Sequence, residues 1–62
     1  MRQYEIRIKR SSGLPLTFLT GFVSDFAAIR QAQRLIDEGD EVEVWRELVC
    51  LYDSRKVETL LH

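Results

Sequence analysis

Cys50 and His62 are the only cysteine and the only histidine among 62 residues. One cysteine cannot form a disulfide within the chain. Two soft ligands fall short of the four that a structural zinc site takes, so no metal is expected. Histidine is the most common general base in enzymes, and here it occurs only as the terminal residue, so no catalytic role is expected. Long hydrophobic runs are missing too. The longest uncharged stretch, Ser11 to Ser24, is interrupted by Gly13, Pro15 and Gly21. It falls short of the roughly 18 apolar residues of a membrane span. The opening Met1-Arg2-Gln3-Tyr4-Glu5 has no apolar core of a signal peptide. The sequence has no internal repeat, linker or cofactor fingerprint. These absences predict a cytoplasmic protein that is not an enzyme, with no cofactor, no metal and no membrane partner.

Hydrophobic residues make up 45% and charged residues 31% of the chain, a balance that argues for a folded domain over a disordered one. The length allows one domain, spanning residues 1–62. A chain this short buries only about 60% of the surface its unfolded form exposes. Small domains compensate with disulfides, metals or a second copy of themselves. With the first two absent, a homodimer is expected.

The net charge of −1 hides an asymmetry. Residues 1–13 carry Arg2, Arg7, Lys9 and Arg10 against Glu5, a local charge of +3. Residues 37–47 carry six carboxylates against Arg46, a local charge of −5. Such a chain can steer a charged partner, or neutralise itself by folding the two segments together.

Periodicity gives the elements. Residues 3–9 alternate, with Tyr4, Ile6 and Ile8 on one face and Gln3, Glu5, Arg7 and Lys9 on the other, a half-buried first strand. Residues 16–23 form a second strand with no charge on either face, joined to the first by a loop closed at Pro15. Ser24 reads as a helix N-cap, with Asp25 placing negative charge in the first turn. The helix is expected over about 25–38, with Phe26, Ala28, Ile29, Ala32, Leu35 and Ile36 as its apolar stripe and Gly39 as the left-handed residue beyond it. Residues 41–45 alternate again, Val42 and Val44 opposite Glu41, Glu43 and Trp45.

Beyond Trp45 several readings stand. One is a tight turn at Arg46-Glu47 into a strand from Leu48 to Tyr52, despite turn chemistry without Gly, Asn or Asp. The favoured one is a single long strand bent near Arg46, a turn at Asp53-Ser54-Arg55, and a last strand from Lys56 to Leu61. The tail could also form a helical turn capped by Ser54.

These elements predict an α+β fold: a two-layer ββαββ arrangement, an antiparallel sheet of about four strands with one helix on one face. The first strand is expected between the second and third. Antiparallel register then sets Lys9 opposite Glu41, Arg7 opposite Glu43, and Glu5 beside Trp45. Opposite charges facing each other across a strand pair contribute about 0.2–1 kcal/mol each. The expected core is Tyr4, Ile6, Ile8, Phe18, Phe22, Ala28, Ile29, Ala32, Leu35, Ile36, Val42 and Val44.

Trp45 is the most informative single residue. Alternation places it on the open face of the sheet, either as an interface anchor or as a platform stacked on Arg7. Leu19 and Val23 share that face and extend it into an apolar patch. Trp45, Leu19, Val23, Arg7 and Glu43 are the candidate interface. The uncharged second strand, at an edge, is also a template for pairing with another chain. Cys50 reads as a small buried hydrophobe. The acidic run Asp37 to Glu43 lacks the spacing of a calcium loop and reads as solvated. Nucleic-acid binding by the basic first strand is the alternative function. A sequence pI of about 5.7, the inward face expected for Tyr4 and neutralisation by Glu41 and Glu43 weigh against it.

The stretch Ala27 to Arg46 resembles a group of short, uncharacterised bacterial proteins. They open with an alternating strand like Tyr4-Glu5-Ile6-Arg7-Ile8. They continue through a helix like Ala28-Ile29-Arg30-Gln31-Ala32-Gln33-Arg34-Leu35-Ile36, a Gly-Asp turn as at Gly39-Asp40, and a strand like Val42-Glu43-Val44-Trp45-Arg46. Their short Gly-containing turn after the tryptophan is replaced here by Glu47-Leu48-Val49. The resemblance implies the fold and no known activity. The functional expectation is a small interaction module that associates with itself or with another protein.

Overall fold

A computed structural model describes residues 1–56. The order of elements is β1 (Arg2–Lys9), β2 (Leu16–Phe22), α1 (Asp25–Arg34), β3 (Glu41–Arg46) and β4 (Val49–Asp53). The four strands form one antiparallel sheet in the order β2-β1-β3-β4, and α1 covers one face. The expected ββαββ layering and the central place of β1 both hold.

The register between β1 and β3 is the one that the charges predict. Lys9 faces Glu41, Arg7 faces Glu43 and Glu5 faces Trp45. Ile8 and Ile6 therefore face Val42 and Val44 on the helix side. A slip of β3 by one residue would turn Val42 and Val44 to the face opposite Ile6 and Ile8.

Alternation in β1 and β3 and the four-residue step in α1 meet in one core. Tyr4, Ile6, Ile8, Ala28, Ala32, Val42 and Val44 are buried, with Phe18, Phe22, Ile29, Ile36, Leu51 and Tyr52 packed around them. Ala28 and Ala32 are both 0% exposed; with only a methyl group each, they let the helix backbone approach the sheet closely. Tyr4 and Phe22 meet as tilted rings, centroids 6.1 Å apart.

Ser24 caps α1 as its sequence predicts, its Oγ accepting from the Ala27 N–H at 3.1 Å. The other end differs from the expected boundary near residue 38. The helix closes at Arg34, and the Leu35 N–H reaches back to the Ala32 carbonyl instead of continuing the ladder. Asp40 explains the early stop. Its carboxylate takes the Asp37 N–H at 3.0 Å and the Ser11 N–H at 2.9 Å. Asp37 and Asp40 close a separate turn, with Gly39 at φ +90° in the place that needs a left-handed residue. A side chain at Gly39 would also meet Ser11, 3.0 Å away.

Two helix residues correct the expected stripe. Phe26 is 67% exposed; two residues at about 100° each set it on the far side of the helix from Ala28. Leu35 is 39% exposed, because it lies past the last turn, over the gap between α1 and β2.

The segment after Trp45 corrects the favoured reading of a long bent strand. A two-residue turn, Glu47-Leu48, joins β3 to β4, with Arg46 opposite Val49. Turning at Glu47 lets Leu51 and Tyr52 join the core. The pairing shifts by one residue between Val44 and Trp45, so that Tyr52 faces Val44 while Cys50 faces Trp45. Cys50 is exposed on this edge strand, contrary to its expected burial. Asp53 ends the strand instead of opening a turn, and residues 54–56 are helical, with the Asp53 carboxylate accepting the Arg55 N–H. The expected last strand lies mostly in residues 57–62, outside the described residues, as does His62.

Candidate functional site

The open face of the sheet, opposite α1, carries an ionic ladder across β1, β3 and β4. Arg7 pairs with Glu5 and lies 3.8 Å from Glu43. Arg55 bonds Glu43 at 2.9 Å and Asp53 at 3.0 Å. The result is one alternating chain of charge, Glu5–Arg7–Glu43–Arg55–Asp53. The Asp53 carboxyl is held below its ordinary range, chiefly by the Arg55 hydrogen bonds.

Trp45 is part of this ladder. The Arg7 guanidinium lies over the indole, 4.4 Å from the ring centroid, and the indole Nε1–H donates to Glu43 at 2.8 Å. The ring is thus half-buried beneath its neighbours. Of the two roles expected for Trp45, the stacked platform is the geometry found. Arg7, Glu43 and Trp45 come together as one unit.

Leu19 and Val23 stay apart from that unit. Leu19 faces Glu5 from the outer strand and is 71% exposed; Val23, just past the end of β2, is 76% exposed. Leu16, 42% exposed, faces Ile8 on the helix side of the same strand. The seven residues of β2 include no charge, unlike β1, β3 and β4. One side of β2 pairs with β1, and among the described residues its other side is the sheet edge.

On the helix side, the same strand borders a groove of about 370 Å³ lined by Phe18, Thr20, Phe22, Gln31, Ala32 and Leu35. The groove lies between α1 and β2. Apolar surface therefore flanks the edge on both faces.

A second polar cluster ties β1, α1 and β3 together. The Tyr4 hydroxyl donates to Asp25 Oδ1 at 2.6 Å, and Arg46 Nη1 reaches both Asp25 oxygens at 2.6 Å. The hydrogen bond from Tyr4 and the Arg46 guanidinium hold the Asp25 carboxyl below its ordinary value, and burial with that same bond raises the Tyr4 phenol. Sequence reading assigned Asp25 only to the helix dipole. The clue was the shared face of Tyr4 and Arg46, which alternation sets on the helix side of adjacent strands. The Asp53–Arg55 part of the ladder was missed with the boundary of β4.

The acidic run does not converge on one point. Asp40 is used by backbone N–H groups and lies 3.7 Å from Arg10, and Glu43 belongs to the ladder. Among the described residues, no group of three or more potential metal ligands is present, and no helix is long and apolar enough to cross a membrane. No family model matches the chain, and neither a curated protein nor a solved structure matches it.

Proposed function

We propose that this chain is a small protein-interaction module of the cell interior that self-associates, with the β2 edge and its apolar flanks as the contact surface. One observation carries the reading: the outer strand has no charge, and exposed Leu16 and Leu19 lie on it. Natural edge strands are usually guarded by lysine, proline or a bulge. In a chain with nineteen charged residues, a free edge without any is a surface suited to pairing. The proposal includes kinship with the short bacterial proteins that share a Val-Glu-Val-Trp strand.

The open face argues for binding protein over nucleic acid. Arg7 and Arg55 are each engaged by carboxylates, so phosphates would have to displace those partners. Trp45 lies under Arg7 instead of presenting a free ring to a base. This moves the contact surface from Trp45 toward Leu19 and Val23.

Sedimentation velocity across the micromolar range tests the proposal. Association that strengthens with concentration and persists in high salt supports an apolar contact. A chain that sediments as a monomer throughout refutes self-association, and salt-sensitive binding to single-stranded oligonucleotides would favour the nucleic-acid reading.

A further inference from the structure

We infer that the partner of β2 is β2 of a second copy, paired antiparallel about a two-fold axis at Leu19, so that two four-stranded sheets join into one of eight strands. The inference rests on the interaction reading above and specifies its geometry.

The register follows from three constraints. A two-fold axis perpendicular to the sheet keeps each face on its own side, so paired residues must share a face. Full overlap of Leu16–Phe22 with itself then centres the pairing on Leu19. Leu16 falls opposite the partner's Phe22, Phe18 opposite the partner's Thr20, and Thr17 opposite the partner's Gly21. Every pair is uncharged, and the helix-side pairs are apolar or Thr–Phe, the combinations that stabilise adjacent strands.

Composition favours an uncharged strand as occupant, and β2 of a second copy is one. A charged partner strand would find no ion pair along β2, whereas the strand's own sequence fits it without leaving a charge unmatched. A net charge of −1 per chain adds little repulsion. The opposite edge is a poorer template: β4 has five residues, its pairing is irregular where β3 bends, and it ends in the Asp53–Arg55 ion pair.

The dimer also resolves the groove beside β2. Phe18, Phe22 and Leu35 border it in each copy, and the axis brings the two grooves side by side across the joined strands. On the helix side Phe22 then meets the partner's Leu16, and Phe18 the partner's Thr20.

Spin labels test the geometry. The Cys50→Ser background removes the exposed native thiol, and single cysteines are placed at Thr17 or Val23, both exposed. Thr17 lies two residues from the axis and Val23 four. At about 3.4 Å per residue, the labelled backbones are about 14 Å and about 27 Å apart along the strands. Dipolar spectroscopy giving a short separation at position 17 and a longer one at 23 supports the inference. Leu19→Lys sets two positive charges together on the axis, at a site exposed enough to leave the fold intact. It should raise the dissociation constant by at least about tenfold. A dimer whose label separations do not follow this order overturns the register while leaving the interaction reading in place. A dimer indifferent to Leu19→Lys does the same. A wild-type chain that stays monomeric overturns both.

Discussion

Leu19 and Trp45 lie in one cross-strand row, on either side of Glu5, yet only Leu19 is left largely exposed. The difference lies in their neighbours. Trp45 has Arg7 over its ring and Glu43 on its indole nitrogen. Leu19 has solvent on its outer side, because β2 ends the sheet. The same alternation that sends both side chains to the open face cannot say which of them is covered.

Arg7→Ala should therefore act through Trp45. Cation–π stacking at an exposed site contributes about 0.5–1 kcal/mol, and a loss of that size is expected in urea denaturation. The tryptophan emission of the folded variant should shift to the red as the ring meets water. An unchanged emission maximum would contradict the stacked geometry.

Glu47→Gly should stabilise the chain. Glu47 has φ +57°, a left-handed conformation that a side chain opposes, and relief of such strain is worth about 1–2 kcal/mol. Some of that gain is offset by the greater freedom of glycine in the unfolded chain. A net rise of about 1 kcal/mol in denaturant unfolding is expected. A loss of stability would mean that the β3–β4 turn has another conformation.

That turn marks where the sequence stopped being legible. Strand faces in β1 and β3, their register, the cap at Ser24 and most of the core could be read from periods of two and four. Such patterns report burial on one face. Glu47 occupies a turn position that favours glycine, so no local signal announced the bend; the packing of Leu51 and Tyr52 against the core outweighs the local cost. The helix end was misjudged for a similar reason. Leu35 and Ile36 continue the apolar stripe, but Asp40, distant from Ser11 in sequence, binds the Ser11 and Asp37 amides and turns the chain away. At the candidate surface, the uncharged edge was visible as composition. The burial of Trp45 was not, because it depends on where Arg7 folds.

Acid should destabilise the protein in a definite window. Asp25 and Asp40 have carboxyls below their ordinary values, Asp25 chiefly through the Tyr4 hydrogen bond and Asp40 through the Asp37 and Ser11 amides. A depressed native value means that their stabilisation is complete above the unfolded pKa, about 3.9, and is lost as pH falls through the native values. Urea midpoints should change little from neutral pH to about 5 and drop below about 4. Asp40→Asn should lower stability at neutral pH and make the acid decline shallower. An equally steep decline in that variant would remove Asp40 from the account.

Ile6→Ala should come close to unfolding the chain. Ile6 is 1% exposed at the centre of β1, and such truncations cost about 2–5 kcal/mol. A domain of this length has roughly 3–9 kcal/mol in total. Circular dichroism and denaturant titration at fixed protein concentration check this, since association itself adds stability. A cost below about 1 kcal/mol would contradict a single core centred on β1.

Backbone amide exchange, followed by NMR at low and high protein concentration, addresses the β2 edge most directly. Outward amides of β2, alternating along Leu16–Phe22, should gain protection as concentration rises, while the outward amides of β4 keep their rates. Unchanged exchange along β2, or protection that grows on β4 instead, would contradict the account.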